Sequence, residues 1–314
     1  MALRRSTTGH TSAPTFVPKS APASGTLRPR ARGFTLVELS IAIVLLGIVS
    51  LMVTNFATAA MRSYLDAERR AELVDTTETA LRRLQRDVRL SLPNSIRVTT
   101  AGGVVYLEFL PVVTGGRYRT QSAGATPPGT CGIGANNPLT FGVSDSSFSS
   151  IGPVADLPAP FAGVGAGFIV IYNLGAGFSN ADAYATGNAT GGNKSILVST
   201  ASSACESTLT FAAHTFTLAS PSGRFHLVQT PVTYACNLAT GQLVRYGGYA
   251  ISAAQPTPPA GTPALVLDAI SACAISYNPN AVSQRIGVVS VVLVRTLDGE
   301  SVRLYQDVRV DNAP

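Results

Sequence analysis

The 314-residue sequence has no tryptophan, only three histidines and few charged residues, which make up 13% of the chain. It also lacks the Gly-x-Ser-x-Gly elbow of many hydrolases and the phosphate-binding Walker loop. Two of the histidines, His214 and His226, lie on predicted strands with no matching carboxylate cluster. An active site needs a convergent set of catalytic groups. The sequence therefore predicts no catalytic residues, no cofactor and no enzyme activity.

The four cysteines are not spaced like zinc ligands. Cys131, Cys205, Cys236 and Cys273 are separated by 74, 31 and 37 residues, so no Cys-x-x-Cys pair occurs. In an exported domain they would form two disulfides, and three pairings are open. We favour Cys131–Cys205 and Cys236–Cys273, because the first two flank a loop-rich insertion and the last two lie on late strands. The ten acidic residues of 93–314 contain no Asp-x-Asp run, and no metal site is predicted.

Net positive charge is confined to the start of the chain, although the formal net charge is +6. Residues 1–33 contain six basic residues and no acidic one, whereas the rest of the chain has 17 of each sign. A basic nucleic-acid-binding face is therefore not expected. Ser, Thr, Ala and Pro fill the remainder of 1–33 without a helical or strand period, which predicts a disordered cytoplasmic leader.

A long apolar run follows this leader. Phe34–Met61 contains a single charge, Glu38, and the 23 residues between Glu38 and Arg62 carry none. About 20 apolar residues in a helix cross the hydrocarbon core of a bilayer, so 34–61 is predicted to span a membrane. The basic leader should keep its own side cytoplasmic and place the remainder outside. A buried core helix and a secretory signal are the alternatives, but in such a signal the small cleavage-site residue follows the apolar run, whereas Gly33 precedes it.

The residues at the start of the apolar run form a recognisable signal. Arg32-Gly33-Phe34-Thr35-Leu36-Val37-Glu38 resembles the type III signal of type IV pilins and of type II secretion pseudopilins. The resemblance implies that a prepilin peptidase cleaves between Gly33 and Phe34, removes residues 1–33 and N-methylates Phe34. It also implies a type IV pilin-like fold, in which a long N-terminal helix packs on an antiparallel β-sheet head.

Glu38 is the one charge within the predicted membrane span. An intramembrane charge costs about 2.5–3.5 kcal/mol on insertion scales, although a carboxylate in the first turn of a helix suits the macrodipole. Four residues separate it from Phe34, about 6 Å of helix rise, so it can reach a free amine. The resemblance implies that Glu38 pairs with the Phe34 amine of a neighbouring subunit and sets the subunit register in a filament. The alternative is a carboxylate that only snorkels to the interface.

The helix is expected to continue beyond the membrane through residues 62–92. Apolar residues recur there at three- and four-residue steps, and Pro93 ends the pattern. Residues 34–92 would then extend about 88 Å as one helix. We predict that a sheet covers the apolar stripe and that the charged residues form a solvated face. The stripe consists of Tyr64, Leu65, Ala71, Val74, Leu81, Leu84 and Val88.

Residues 93–314 are predicted to form a β-rich periplasmic head, so the fold class is α+β. A region rich in Gly, Ala, Ser, Asn and Pro, at about 115–195, is predicted to be a loop-rich insertion. The last two strands flank Leu297-Asp298-Gly299-Glu300 and should form a hairpin. The predicted strands are 95–100, 104–113, 167–172, 208–218, 224–235, 264–267, 274–277, 287–296 and 301–310.

Shorter blocks along 34–314 extend the resemblance. They are similar to minor pilin-like proteins of the mannose-sensitive haemagglutinin (MSHA) pilus, which implies a minor pilin or assembly factor of a type IV pilus, in the filament or at its tip. The alternatives are a minor pseudopilin of a type II secretion system, and a membrane-anchored periplasmic enzyme or adhesin. The blocks include Asp66–Leu73, Ala80–Asp87, Leu92–Val98, Tyr106–Pro111, Val232–Cys236, Gly241–Tyr246 and Val310–Pro314.

The resemblance also implies the partners and the location. The partners would be prepilin peptidase, other major and minor pilins, the inner-membrane pilus assembly platform and the lipid bilayer, with no nucleic acid. The protein would cross the bacterial inner membrane once, with its N-terminus cytoplasmic and its head periplasmic, and then enter a pilus or pseudopilus.

Overall fold

The structure is a computed structural model that describes residues 33–121, 137–154, 167–185, 192–203, 205–283 and 285–314. The chain divides into two units, Met1–Ala60 and Met61–Pro314. The described part of the first unit is the beginning of a helix. The second unit contains the rest of that helix and the described strands.

Helix α1 spans Leu36–Arg89, within the predicted range 34–92. Neither glycine nor proline interrupts the sequence between Leu51 and Leu92, and these two residues are the poorest helix formers. Basic residues in the last turn suit the negative end of the helix dipole. Pro93 follows shortly after, and proline cannot continue a helix.

Only the second part of the predicted apolar stripe packs against strands. The buried residues of α1 begin at Leu73. Tyr64 and Leu65 remain 66% and 42% exposed, so the predicted covering of the stripe is wrong for these turns. The reason is that the hairpin turn reaches this part of the helix through a polar contact, an ion pair of 2.8 Å between Arg70 and Glu300.

The described residues form fourteen β-strands, and the strands pair antiparallel throughout. They are β1 (Arg97–Ala101), β2 (Val104–Phe109), β3 (Val112–Tyr118), β4 (Asp145–Ile151), β5 (Phe168–Ile171), β6 (Lys194–Ser202), β7 (Ser207–His214), β8 (Arg224–Val228), β9 (Val232–Asn237), β10 (Gln242–Gly247), β11 (Thr262–Leu267), β12 (Ile270–Ser283), β13 (Ile286–Leu297) and β14 (Glu300–Asp311).

Two sheets and the helix enclose the main core of the second unit. One sheet has the order β1-β2-β9-β10-β11 and the other has the order β12-β13-β14. The apolar face of α1 contributes Leu84 and Val88, both completely buried, to a cluster with Leu107, Tyr234 and other residues of the two sheets. Burial of a side chain such as leucine contributes about 1.5–3 kcal/mol. The predicted α+β class, with a long helix packed on antiparallel sheets, is confirmed.

The predicted C-terminal hairpin is also confirmed. Strands β13 and β14 pair from Leu297 with Glu300 to Ile286 with Asp311. The two residues between the strands, Asp298 and Gly299, have φ angles of +51° and +86°. Positive φ at both positions is the signature of a type I′ turn, whose twist matches that of the strands it joins.

A closed barrel takes some of its strands from within the predicted loop-rich insertion and the others from the chain that follows it. Its strand order is β3-β4-β7-β6-β5-β8, with β8 pairing back to β3. Within 115–195 lie the end of β3, all of β4 and β5, and the start of β6. Strand β5 matches the strand predicted at 167–172, whereas β4 was not predicted. The composition misled because Asp-Ser-Ser-Phe-Ser-Ser-Ile has few β-branched residues, and such a strand is stabilised by its neighbours in the ladder.

The barrel is inserted into the five-stranded sheet between two paired strands. Strand β2 ends at Phe109 and β9 begins at Val232, and these two residues are cross-strand partners. Prolines stand at both connections, Pro111 on entry and Pro231 on exit. Each proline divides what was predicted to be one continuous strand, because proline lacks the N–H needed for a sheet ladder.

Aromatic side chains fill the barrel. The ring of Phe148 lies 5.1 Å from that of Phe225 and 5.9 Å from that of Phe211, with tilted or edge-on geometry. Each of the three rings is buried, and such pairs add about 0.5–1.5 kcal/mol beyond their area burial. The barrel therefore has a hydrophobic core separate from the one that covers the helix.

A buried ion pair lies where the barrel meets the five-stranded sheet. Glu108 is completely buried and accepts a hydrogen bond of 2.6 Å from the Arg97 guanidinium, which lies 3.7 Å over the ring of Tyr184 in the β5–β6 connection. Burial raises the pKa of the Glu108 carboxyl, and the positive charge of Arg97 opposes that shift. Burial likewise raises the pKa of Tyr184. For the pKa of Glu108, the effect of desolvation is therefore larger than the opposing effect of the Arg97 charge.

Replacing Glu108 alone is expected to destabilise the head more than replacing it together with Arg97. In Glu108→Leu the guanidinium, 18% exposed, loses its carboxylate, and breaking a buried pair costs about 3–5 kcal/mol. The double variant Arg97→Met with Glu108→Leu removes the stranded charge and should recover at least about 1 kcal/mol. Denaturant unfolding of the full chain in detergent, followed by circular dichroism, measures both. A double variant less stable than Glu108→Leu would contradict this account.

Candidate functional site

The predicted cleavage site lies in a short accessible segment ahead of the helix. Residues 33–35 have no regular secondary structure, and Phe34 is 83% exposed. A Cβ atom added at Gly33 would meet nothing within 4 Å. The Gly33–Phe34 peptide bond is thus open to a peptidase, while its cleavage and the methylation of Phe34 stay predictions.

Thr35 and Glu38 form a capping box at the start of α1. The Thr35 amide donates to Glu38 Oε2 over 3.0 Å, and the Glu38 amide donates to Thr35 Oγ1 over 3.2 Å. This reciprocal arrangement satisfies two backbone donors that a helix start leaves free. Our sequence reasoning missed the role of Thr35, although Thr-x-x-Glu ahead of an apolar run is the pattern that signals it.

The capping box uses only one oxygen of the Glu38 carboxylate. Both bonds from Thr35 go to Oε2, and within the described residues Oε1 accepts no hydrogen bond. In the intact chain the nitrogen of Phe34 is an uncharged amide, and only cleavage would turn it into an amine. The geometry therefore leaves one carboxylate oxygen for an amine supplied by another subunit. The pairing of Glu38 with that amine is a proposal taken up below.

The surface of the first part of α1 suits an apolar environment. Within the described residues, α1 is the one helix long and apolar enough to cross a membrane, and none of its most apolar 18-residue stretch is buried. Hydroxyl groups in this part bond back to the helix: Thr54 donates to the Ser50 carbonyl over 2.8 Å, and Thr58 to the Thr54 carbonyl over 2.9 Å. Such internal bonds lower the cost of placing hydroxyls in lipid.

Comparison with known protein families gives a match at the start of α1 and the residues just before it. Residues 28–54 match the family model of the prokaryotic N-terminal methylation motif. The match supports a pilin-like or pseudopilin-like protein. The match covers the end of the leader, the Gly33–Phe34 bond, the capping box and the first part of α1. No curated protein and no solved structure matches the chain.

The matched motif indicates how the start of the chain is handled. It implies processing by prepilin peptidase and assembly with other pilins, and the apolar helix suits anchoring in the inner membrane. The motif family is structural rather than enzymatic. In the part of the chain that the structure describes, no group of three or more His, Cys, Asp or Glu residues is placed to hold a metal ion.

Of the two predicted disulfides, one is present in the structure and the other involves a residue outside the described part of the chain. Cys236 on β9 and Cys273 on β12 form a disulfide, with their Cα atoms 6.6 Å apart, and this bridge joins the five-stranded sheet to the three-stranded sheet. Cys131 lies outside the described residues, so the pairing of Cys131 with Cys205 stays a prediction. A bridge of this kind stabilises a fold by about 2–4 kcal/mol.

Proposed function

We propose that this pilin-like chain is a minor pilin or assembly factor of a type IV pilus of the MSHA type. Prepilin peptidase cleaves it between Gly33 and Phe34 and methylates Phe34, and the mature protein enters the filament or its tip. The observation that supports a processed, pilin-like protein is the methylation motif over residues 28–54, together with an accessible Gly33–Phe34 bond.

The exposed apolar helix supports an assembly role. An apolar helix of this length is stable in the hydrocarbon core of a bilayer and unstable in water. It can leave the membrane only if neighbouring subunits bury the same surface. The protein therefore acts as part of an oligomer, with the lipid bilayer and other pilins as successive partners of the same helix.

The charge distribution supports an orientation in the inner membrane. Residues 1–33 contain six basic and no acidic residues, and such segments stay on the cytoplasmic side. The head then lies in the periplasm, where oxidising conditions allow the Cys236–Cys273 disulfide. An inner-membrane assembly platform would take the protein up from this position.

The finer assignment, to a protein similar to the minor pilin-like protein O of the MSHA pilus, rests on the short sequence blocks alone. A minor pseudopilin of a type II secretion system shares the signal and the helix. The two roles differ in what a deletion removes: surface filaments in the first case, and secretion of exported proteins in the second. Loss of secretion with normal piliation would replace the first assignment by the second.

Mass spectrometry of the protein purified from membranes is the experiment that tests the proposal. The expected N-terminus is N-methylated Phe34, with residues 1–33 absent. The same analysis of sheared surface filaments should recover peptides of the head. A mature protein that begins after the apolar run, or that is soluble and monomeric, would overturn the proposal.

A further inference from the structure

Helix α1 carries two rows of charge that match each other in spacing. One row is acidic and the other consists of arginines. Within each row, successive members are three residues apart in the sequence, and every acidic residue lies 11 residues before an arginine. All six side chains are exposed. The acidic row is Glu72, Asp75 and Glu78, and the arginine row is Arg83, Arg86 and Arg89.

Both rows are centred opposite the buried side of α1, although Asp75 and Arg83 also border a groove with residues of β11. Asp75 lies nine residues before Leu84, which is about half a turn away around the helix, and Leu84 is completely buried. A shift of 11 residues is close to three full turns, so it changes direction by only about 20°. The two rows therefore point in nearly the same direction and are separated along the axis by about 16 Å.

Within the described residues the two rows are largely free of ion pairs. Glu72, Asp75 and the three arginines form none, and Glu78 shares the exposed Arg82 at 2.6 Å. Asp87 on the same helix is different, because it is held by Arg245 and by the Tyr234 hydroxyl, each at 2.8 Å. The rows thus remain available for contacts outside the chain.

A groove beside the acidic row is lined by more carboxylates than cations: Asp66, Asp75, Glu78 and Glu300 line it, and Arg70, the one guanidinium among its described lining residues, pairs with Glu300. It has a volume of about 660 Å³, and Ala67, Ala71 and Val74 provide an apolar floor. Asp75 and Glu78 belong to the acidic row. An arginine places an apolar stem along such a floor and its guanidinium against the carboxylates, where it can form two parallel hydrogen bonds.

We propose that the occupant of this groove is the arginine row of a second copy of the same chain. The two helices run parallel and are offset by 11 residues, which brings Arg83, Arg86 and Arg89 of one copy against the acidic row of the other. The inference rests on the proposed function, since assembly brings copies side by side. Charge complementarity argues for a second copy, because this chain carries both halves of the match.

The offset is part of the proposal because level copies would oppose like charges. Two parallel helices without an offset place acidic row against acidic row and arginine row against arginine row, which is repulsive. The offset pairs opposite charges instead. Exposed ion pairs are individually weak, so the rows select a register between two copies that assembly has already brought together. This contact involves a different neighbour from the one whose Phe34 amine would meet Glu38, because that pairing needs an offset of about four residues.

Charge reversal in two differently tagged full-length copies, solubilised together in mild detergent, tests the contact. One variant carries Arg83→Glu, Arg86→Glu and Arg89→Glu, and the other carries Glu72→Arg, Asp75→Arg and Glu78→Arg. Either variant should co-purify with itself about tenfold less than the native pair does. The two variants mixed together should regain the native amount, which also shows that both are folded. The native association should weaken as salt is raised.

Two results would overturn this inference. One is self-association of either variant at the native level, and the other is failure of the mixed pair to exceed the self-pairs. The matched control is Arg303→Glu with Arg309→Glu on the exposed side of β14, which should leave the association unchanged.

Disulfide crosslinking tests the offset. A copy with Asp75→Cys and a copy with Arg86→Cys should crosslink on mild oxidation more than two copies with Asp75→Cys, and chains without an added cysteine set the background. More crosslinking between two Asp75→Cys copies than between Asp75→Cys and Arg86→Cys copies would refute the offset.

Co-purification and crosslinking in detergent do not require that the protein enters a filament. Native copies that associate through the rows while the protein is absent from sheared filaments would count against the proposed function alone. If the protein is present in filaments but the charge-reversed variants still self-associate at the native level, the result would count against the inference alone.

Discussion

Glu38→Ala is expected to leave cleavage at Gly33–Phe34 largely intact and to reduce incorporation into filaments about 100-fold. In the proposed filament, the Phe34 amine of a neighbour would be buried among apolar helices and would need a counter-charge. Leaving a buried charge unpaired costs about 3–5 kcal/mol, and about 1.4 kcal/mol corresponds to a factor of ten. Immunoblots of sheared filaments, normalised to processed protein in the membrane, measure the ratio.

Glu38→Gln separates the capping role that the structure shows from the charge pairing that we propose for assembly. Glutamine at the third helical position still supports a capping box with Thr35, whereas it removes the negative charge. If charge pairing governs assembly, Glu38→Gln should be nearly as defective as Glu38→Ala. Normal piliation in the glutamine variant would show that helix capping alone explains the requirement, and normal piliation in both would remove Glu38 from the assembly mechanism.

Gly33→Val is expected to reduce the cleaved fraction at least about tenfold. A peptidase must hold the scissile bond close to its catalytic groups, and a displacement of about 1 Å can cost about 100-fold in rate. A Cβ atom at position 33 meets nothing within 4 Å in the chain itself, so the substitution should not disturb the fold. The mass of the protein in membranes reports whether the leader remains.

The matched control variant for this experiment is Gly33→Ala, and formation of the disulfide serves as a check on folding. The alanine variant adds a single methyl group and should be cleaved more than the valine variant, because the steric demand on the peptidase is smaller. Formation of the Cys236–Cys273 bridge in the uncleaved protein shows that the head has folded. Complete processing of Gly33→Val would mean that the cleavage site has been placed wrongly.

Features that depend on a few neighbouring residues could be predicted well. The extent of α1 follows from an uninterrupted helical pattern that ends near Pro93, and the β13–β14 hairpin follows from Asp298-Gly299. The Thr-x-x-Glu pattern that marks Thr35 as the capping residue is equally local. Each of these depends on interactions within a few residues, which sequence spacing shows directly.

The barrel could not be predicted from local sequence. Strand β4 has weak strand propensity, and it exists because β3 and β7 supply hydrogen bonds on both sides. Pro111 and Pro231 mark where the chain enters and leaves the barrel, but a proline signals only an interruption. The sequence cannot show that Phe109 and Val232, more than a hundred residues apart, are cross-strand partners.

The sequence by itself determined the anchor: the basic leader, the Gly33–Phe34 junction, the lone Glu38 and the apolar run are contiguous, and their chemistry is local. The tertiary structure decided how the head is built. It inserted a barrel between two paired strands, buried the Arg97–Glu108 pair at their junction, and selected which part of the apolar stripe is covered. Those outcomes depend on contacts between distant residues, and their stability arises only when the whole head packs together.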